Sequence, residues 1–169
     1  MSRGFVKEDD LEHAGTDVPE RLISAQTNYV TENGYCILVQ QANALELQRK
    51  VLSTKKDDQQ AQQQLAVVNR DLRYIAARLE SAQVVKTSTN KSNVSSLVLF
   101  GATVIVEDES GSKHSYEIVG EDEADIKANK ISWTSPLAKA LIGQKIGETV
   151  MWARPAGNTT LEIIDIEYS

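Results

Sequence analysis

Apolar residues change their period twice along this chain. The first 30 residues show no sustained repeat; charges of both signs surround Gly15 and Pro19, and the segment reads as an extended tail. From Asn33 the spacing turns helical. Residues 33–54 place Ile37, Leu38, Ala42, Leu45 and Leu52 near one face, interrupted by Gln41 and Gln48. Residues 59–82 are cleaner: Ala61, Leu65, Val68, Leu72, Ile75, Leu79 and Ala82 recur at alternating steps of four and three, the seam of a coiled coil. Between the runs, TKKDDQQ is a polar bend in which Asp58 can cap the second helix and Asp57 can complement its dipole. Two helices joined so tightly predict an antiparallel hairpin over residues 31–86.

The pattern then becomes β. The polar stretch TSTNKSN opens a linker over residues 87–97. In residues 98–169, LVLFGATVIVEDE and HSYEIVG read as strands joined through ESGSK, and a further strand falls around ISW. TVMWAR and TTLEIIDIEY close the chain as a hairpin about PAGN. Ser135 to Gly143 reads as one short helix, with Ser135 as N-cap, Pro136 in the first turn and Gly143 as its stop. The expected class is α+β: an N-terminal antiparallel α-helical coiled-coil hairpin, then a small antiparallel sheet packed on one short helix.

Composition narrows the function. The net charge is −6, but residues 33–86 carry 8 basic and 5 acidic side chains between acidic flanks. Such a chain is not a general DNA binder, which shows a broad basic surface; it leaves room for a local contact with something negative. The candidates for that contact are Lys55 and Lys56 at the bend and Arg70, Arg73 and Arg78 on the second helix. No apolar run approaches the roughly 20 residues that cross a bilayer, and MSRGFVKEDD lacks the apolar stretch of a secretory signal, so no membrane partner and a cytoplasmic location are expected. The single cysteine, Cys36, excludes an internal disulfide framework and reads as a small core filler.

No glycine-rich phosphate loop, metal-spaced Cys or His pair, or nucleophile elbow is present, so the chain does not read as a self-contained enzyme and needs no cofactor or metal of its own. His13 and His114 read as surface residues. The acidic run GEDEAD, Gly120 to Asp125, reads as a solvated turn, with a docking surface or weak cation site as the alternative. Asp57 and Asp58 either cap the helix or present a divalent metal to another protein, since Mg²⁺ needs only one or two protein carboxylates.

One set of residues carries a resemblance. FGA, YEIVGEDEAD, the I-S-x-x-S-P-L-A-x-A-L-I-G pattern and the PAG turn follow one another in the order and spacing of the C-terminal domain of the bacterial Gre transcription elongation factors. TENGY at 31–35 and SAQVV at 81–85 resemble the start and end of that family's coiled coil. The resemblance implies an FKBP-like C-terminal domain that grips the rim of the RNA polymerase secondary channel, and a coiled coil that enters the channel. Acidic tip residues of the family help hold the polymerase Mg²⁺ so that polymerase cleaves backtracked RNA. It implies further that Thr134, Ser135 and Pro136 match the loop contacting polymerase, with Thr134 standing where Asp or Asn is usual. At the tip, Lys55-Lys56-Asp57-Asp58-Gln59-Gln60-Ala61 departs from the family's spaced Asp and Glu. The hairpin is also roughly a dozen residues short, a loss of about 9 Å of reach at 1.5 Å per residue in each arm. The expectation is a monomeric accessory factor that binds RNA polymerase and meets nascent RNA, with weak or no stimulation of cleavage. The alternatives are an active cleavage factor using Asp57 and Asp58 on the shared Mg²⁺, and a coiled-coil adaptor with a reused Gre-type domain.

Overall fold

A computed structural model of the chain describes residues 18–87 and 97–169. His13 and most of the expected linker lie outside the described residues. The chain divides into two compact units, one of Met1–Ala25 and Leu38–Glu80, the other of Gln26–Ile37 and Ser81–Ser169.

The first unit is built on two long helices, α1 (Glu32–Ser53) and α2 (Gln59–Ser81), whose ends fall within a residue or two of the expected runs. Each start is capped. Thr31 accepts a hydrogen bond from the Gly34 amide at 2.9 Å, and Asp58 accepts from the Gln60 and Ala61 amides at 3.0 and 3.2 Å. The seam is the one the spacing predicts. Ala61, Val68 and Ile75 are buried, Leu65, Leu72 and Leu79 half-buried, and Leu38 is buried opposite them with Ala42, Leu45 and Leu52 half-buried. One seam cannot cover two helices, so Leu47 is 65% exposed and Val51 and Val67 are exposed beside it. Cys36 is exposed as well, which corrects the core-filler expectation: it sits on α1 two residues before the buried Leu38, turned away from the packed face. Val18–Ala25 contributes a strap beside α2, through Glu20 on Arg73 and Arg21 on Asp71.

The second unit carries a five-stranded sheet made of β3 (Ala102–Glu107), β4 (Lys113–Val119), β5 (Lys130–Ser132), β6 (Thr149–Trp152) and β7 (Thr159–Tyr168), in the order β5-β4-β3-β7-β6. A separate parallel pair joins β1 (Tyr29–Thr31) to β2 (Gln83–Val85). The expected tail therefore ends before residue 29, because Val30 is buried and the Tyr29 ring meets Trp133 edge-on at 5.2 Å and Phe100 at 6.1 Å. The expectation of a wholly antiparallel sheet is also corrected: β5 runs parallel to β4, pairing Glu117 with Lys130 and Val119 with Ser132. No tight turn joins them. The chain crosses back through a 3-10 turn, Ile126–Ala128, and Asn129 reverses it in the left-handed region at φ 56°.

Alternation along β3 buries Ala102, Val104 and Val106. In β7 the alternation breaks, and a bulge explains why. Ile105 pairs with Asp165 but Val106 pairs with Ile163, leaving Ile164 as the extra residue. That insertion resets the parity, so Leu161 and Ile163 on one side of it, and Ile166 and Tyr168 on the other, all turn to the core. The short helix α3 (Pro136–Leu141) lays Leu137, Ala138 and Leu141 into the same core, capped by Ser135 on the Ala138 amide at 3.3 Å.

Candidate functional site

Ser135 and Pro136, which follow Thr134, line a cleft in the second unit. Its volume is about 560 Å³, and its walls include Tyr116, Ile126, Ile131, Leu137 and Trp152 beside Ser135 and Pro136. The cleft lies where β4 and β5 meet the start of α3. The aromatic wall is rigid: Tyr116 and Trp152 meet edge-on at 6.2 Å, His114 stacks on Tyr116, and the Arg154 guanidinium lies 5.0 Å over Trp152. Burial pushes the Tyr116 phenol up from its usual range. Ile126 is 89% exposed at the rim, an apolar side chain offered to solvent by the 3-10 turn.

The turn's own hydroxyls face inward. The Thr134 and Ser132 hydroxyls share a hydrogen bond of 2.7 Å, and the Ser135 oxygen caps α3. Thr134 and Ser135 are half-buried, while Pro136 is exposed. The open surface of the site is apolar around Pro136 and Ile126. It can seat a protruding aliphatic or aromatic side chain.

At the hairpin tip the two carboxylates part company. Asp58 is engaged by the first amides of α2, and Asp57 stands exposed beside Lys55 and Lys56. Asp58→Ala should cost about 1 kcal/mol, the usual loss for an N-cap, read as a lower urea midpoint; no change would place the cap elsewhere. Among the described residues no group of three metal-ligating side chains comes together.

The basic residues of α2 are not an open stripe. Arg70 bonds Asp71 at 3.0 Å, Glu20 takes the Arg73 fork, and Arg78 is 1% exposed. Periodicity marked them as off the seam, but it could not see acidic neighbours brought from elsewhere in the chain. His114 is a surface residue whose Nε2 lies 2.9 Å from Asp108. The Ser110 hydroxyl, then His114, hold the Asp108 carboxyl well below the usual range.

Within GEDEAD the residues differ. Asp125 caps the 3-10 turn through the Lys127 amide at 3.0 Å. Glu123, with its side chain 3% exposed, is buried rather than solvated, which corrects the reading of that run for this residue. Its carboxylate accepts from the Thr31 hydroxyl and from the Asn33 amide at 3.0 Å, with the Lys130 ammonium at 3.3 Å. Thus the first turn of α1 is tied into the sheet unit. Gly34 gives the carboxylate room, since a Cβ would lie 2.7 Å from the Glu123 Oε1 and the side chain would have to shift. The sequence offered one signal: a glycine in the first turn of a helix, where it is otherwise unfavourable.

Fold and site together define a protein with a helical hairpin and a sheet unit that carries a largely apolar cleft. Residues 93–168 match the family model for the C-terminal domain of the transcription elongation factors GreA and GreB. The chain is 41% identical over 109 residues to the transcription elongation factor GreA of Thioalkalivibrio sulfidiphilus, a match spanning 64% of this chain and 68% of that protein. It is 38% identical over 118 residues to GreA of Methylococcus capsulatus, spanning 69% and 73%. Among solved structures, GreA factor homolog 1 of Thermus thermophilus aligns over 84% of this chain and 99% of its own at 24% identity, with a TM-score of 0.40. The chain belongs to the GreA/GreB transcription elongation factor family.

Proposed function

We propose that this chain is an accessory factor, not itself an enzyme, that docks on RNA polymerase in the cytoplasm through the cleft beside Thr134, Ser135 and Pro136. Its hairpin then acts in the secondary channel, with little or no stimulation of transcript cleavage. The docking reading is supported by the open apolar surface of Ile126 and Pro136 over a preformed aromatic wall. Such a surface suits a protein partner, because its gain comes from area removed from water.

The tip supports the second half. Of the two carboxylates that could reach a shared Mg²⁺ of polymerase, Asp58 is engaged by the first amides of its own helix, which leaves Asp57. Lys55 and Lys56 would meet the negative lining of the channel or the nascent RNA.

Retention of purified core polymerase by the immobilised chain tests the docking. Ile126→Glu and Ser135→Glu should each weaken retention at least about tenfold, as expected when a charge is placed in a desolvated contact. Ile126 is so exposed that its replacement leaves folding untouched. Unchanged retention by both variants removes the cleft from the contact, and no retention of polymerase by the unaltered chain leaves the adaptor. In backtracked complexes with Mg²⁺ and saturating protein, the RNA 3′ end should shorten no faster than with polymerase alone. Faster shortening, abolished by Asp57→Asn with Asp58→Asn, would restore the active cleavage factor.

A further inference from the structure

The hairpin carries an apolar groove towards its tip. Its volume is about 640 Å³, with Leu52 and Val68 at the floor and Leu47, Val51 and Val67 along the rims. Leu47 is 65% exposed, Val51 57% and Val67 38%. Exposed apolar residues scattered singly are ordinary, but three lining one groove mark a surface that something covers. A second copy of the chain is a poor fit. A stable dimer buries roughly 800 Å² on each partner, and here exposed Gln48, Lys50 and Gln64 close in on the three side chains.

The chain itself leads an occupant to the groove. At the foot of α2 the Asn28 amide donates to the Ser81 hydroxyl at 3.1 Å, while Arg21 meets Asp71 at 3.5 Å and the Tyr74 ring at 3.7 Å. Followed back from Asn28, the strap therefore climbs α2 towards the tip, and Val18, where the described residues begin, is still half-buried. Tyr74, Asp71, Val67 and Gln64 succeed one another at steps of three and four, one line on the helix surface. Val67 lies only about 6 Å beyond Asp71 at 1.5 Å per residue. Residues 1–17, which lie outside the described residues, would span up to about 56 Å when extended, far more than the groove requires. Their large aliphatic and aromatic side chains are Phe5, Val6 and Leu11, and Leu11 is set among Glu8, Asp9, Asp10 and Glu12. At the groove's end of the hairpin, Lys50, Lys55 and Lys56 are exposed. An apolar side chain among carboxylates complements an apolar groove beside ammonium groups.

We propose that residues 1–17 dock in this groove, with Leu11 seated between Leu47, Val51 and Val67 and its acidic neighbours turned to the lysines. A short tether holds its segment at an effective concentration on the order of millimolar, so a contact too weak to capture a free peptide still fills the groove. With the segment seated, the hairpin presents carboxylates where it would otherwise present apolar surface. The inference does not rest on the proposed function, and its test contains no polymerase. A nitroxide is attached to the thiol of Ser2→Cys in the full-length chain carrying Cys36→Ser, and broadening of the leucine and valine methyl resonances is measured. Leu47, Val51 and Val67 should broaden more strongly than Leu79 at the far end of α2. Leu11→Glu should cut that broadening at least about threefold, since an apolar groove does not accept a carboxylate. Unchanged methyl resonances of Val104 and Leu161 in the sheet report that the fold is intact. Val67→Glu, on the groove side, should give the same loss at Leu47 and Val51. Broadening that survives Leu11→Glu, or that falls equally on Leu79, overturns the docking. Broadening of an isotope-enriched chain without nitroxide, when it is mixed with the nitroxide-bearing one, would assign the groove to a second copy and overturn it too.

Discussion

Gly120→Ala should destabilise the sheet unit by roughly 2–4 kcal/mol, measured as a lower midpoint of urea unfolding. The added Cβ would stand 2.4 Å from the Tyr29 carbonyl oxygen and within 3.5 Å of the Tyr29 carbonyl carbon and the Val30 Cα. All three are backbone atoms of β1, so no side chain can swing aside. The strand itself must retreat. Retreat separates the Tyr29 ring from Trp133 and loosens the pairing of Tyr29 with Gln83. Gly111→Ala is the control. That glycine sits at φ 82° with nothing within 4 Å, so alanine there bears only the backbone strain of about 1 kcal/mol. If both variants lose the same stability, the close approach of β1 to Gly120 is not a constraint.

Glu123→Ala should cost roughly 2–4 kcal/mol, because a buried carboxylate is removed and its donors and a half-buried ammonium are left behind. The Lys130 ammonium loses its nearest carboxylate and keeps only Glu117 at 3.9 Å, while the Thr31 hydroxyl and the Asn33 amide lose their acceptor. Glu123→Gln retains one acceptor oxygen, for the Thr31 hydroxyl or the Asn33 amide but not both, and should lose less. Amide exchange in the first turn of α1 should accelerate in the alanine variant and change little in the glutamine one. An alanine variant within about 1 kcal/mol of the unaltered chain would mean that water replaces the carboxylate at little cost.

Long periodic elements were legible because their pattern is set by local geometry. The a/d spacing from Ala61 to Leu79 marks the seam whatever the rest of the chain does, and Ser135-Pro136 announces α3 through capping chemistry alone. Long-range pairing was not legible. Nothing in KIS says that it lies parallel to β4, since three residues carry no direction, and a two-sided acidic run does not say which of its carboxylates turns inward. Glu123 is turned inward by Thr31 and Asn33, which are some 90 positions away. The same distance blindness made Arg73 look free, because Glu20, 53 positions away, is invisible to a helical wheel. For the candidate site, the turn was found by its resemblance to a family pattern, whereas the cleft wall of Tyr116, Ile126 and Trp152 draws on three separate segments.

The parallel pairing of Tyr29 with Gln83 and Thr31 with Val85 closes the chain at the foot of the two long helices. Departure and return are thereby pinned to each other, whatever lies between them. The helical segment behaves as a cassette: equal additions to α1 and α2 in whole heptads preserve the seam and disturb neither strand. Each such increment changes the rod by about 10.5 Å. Unequal changes are penalised at once, since one arm would then offer seam residues to the wrong face of the other. The length of the hairpin can therefore change only in matched steps, which leave the sheet unit intact.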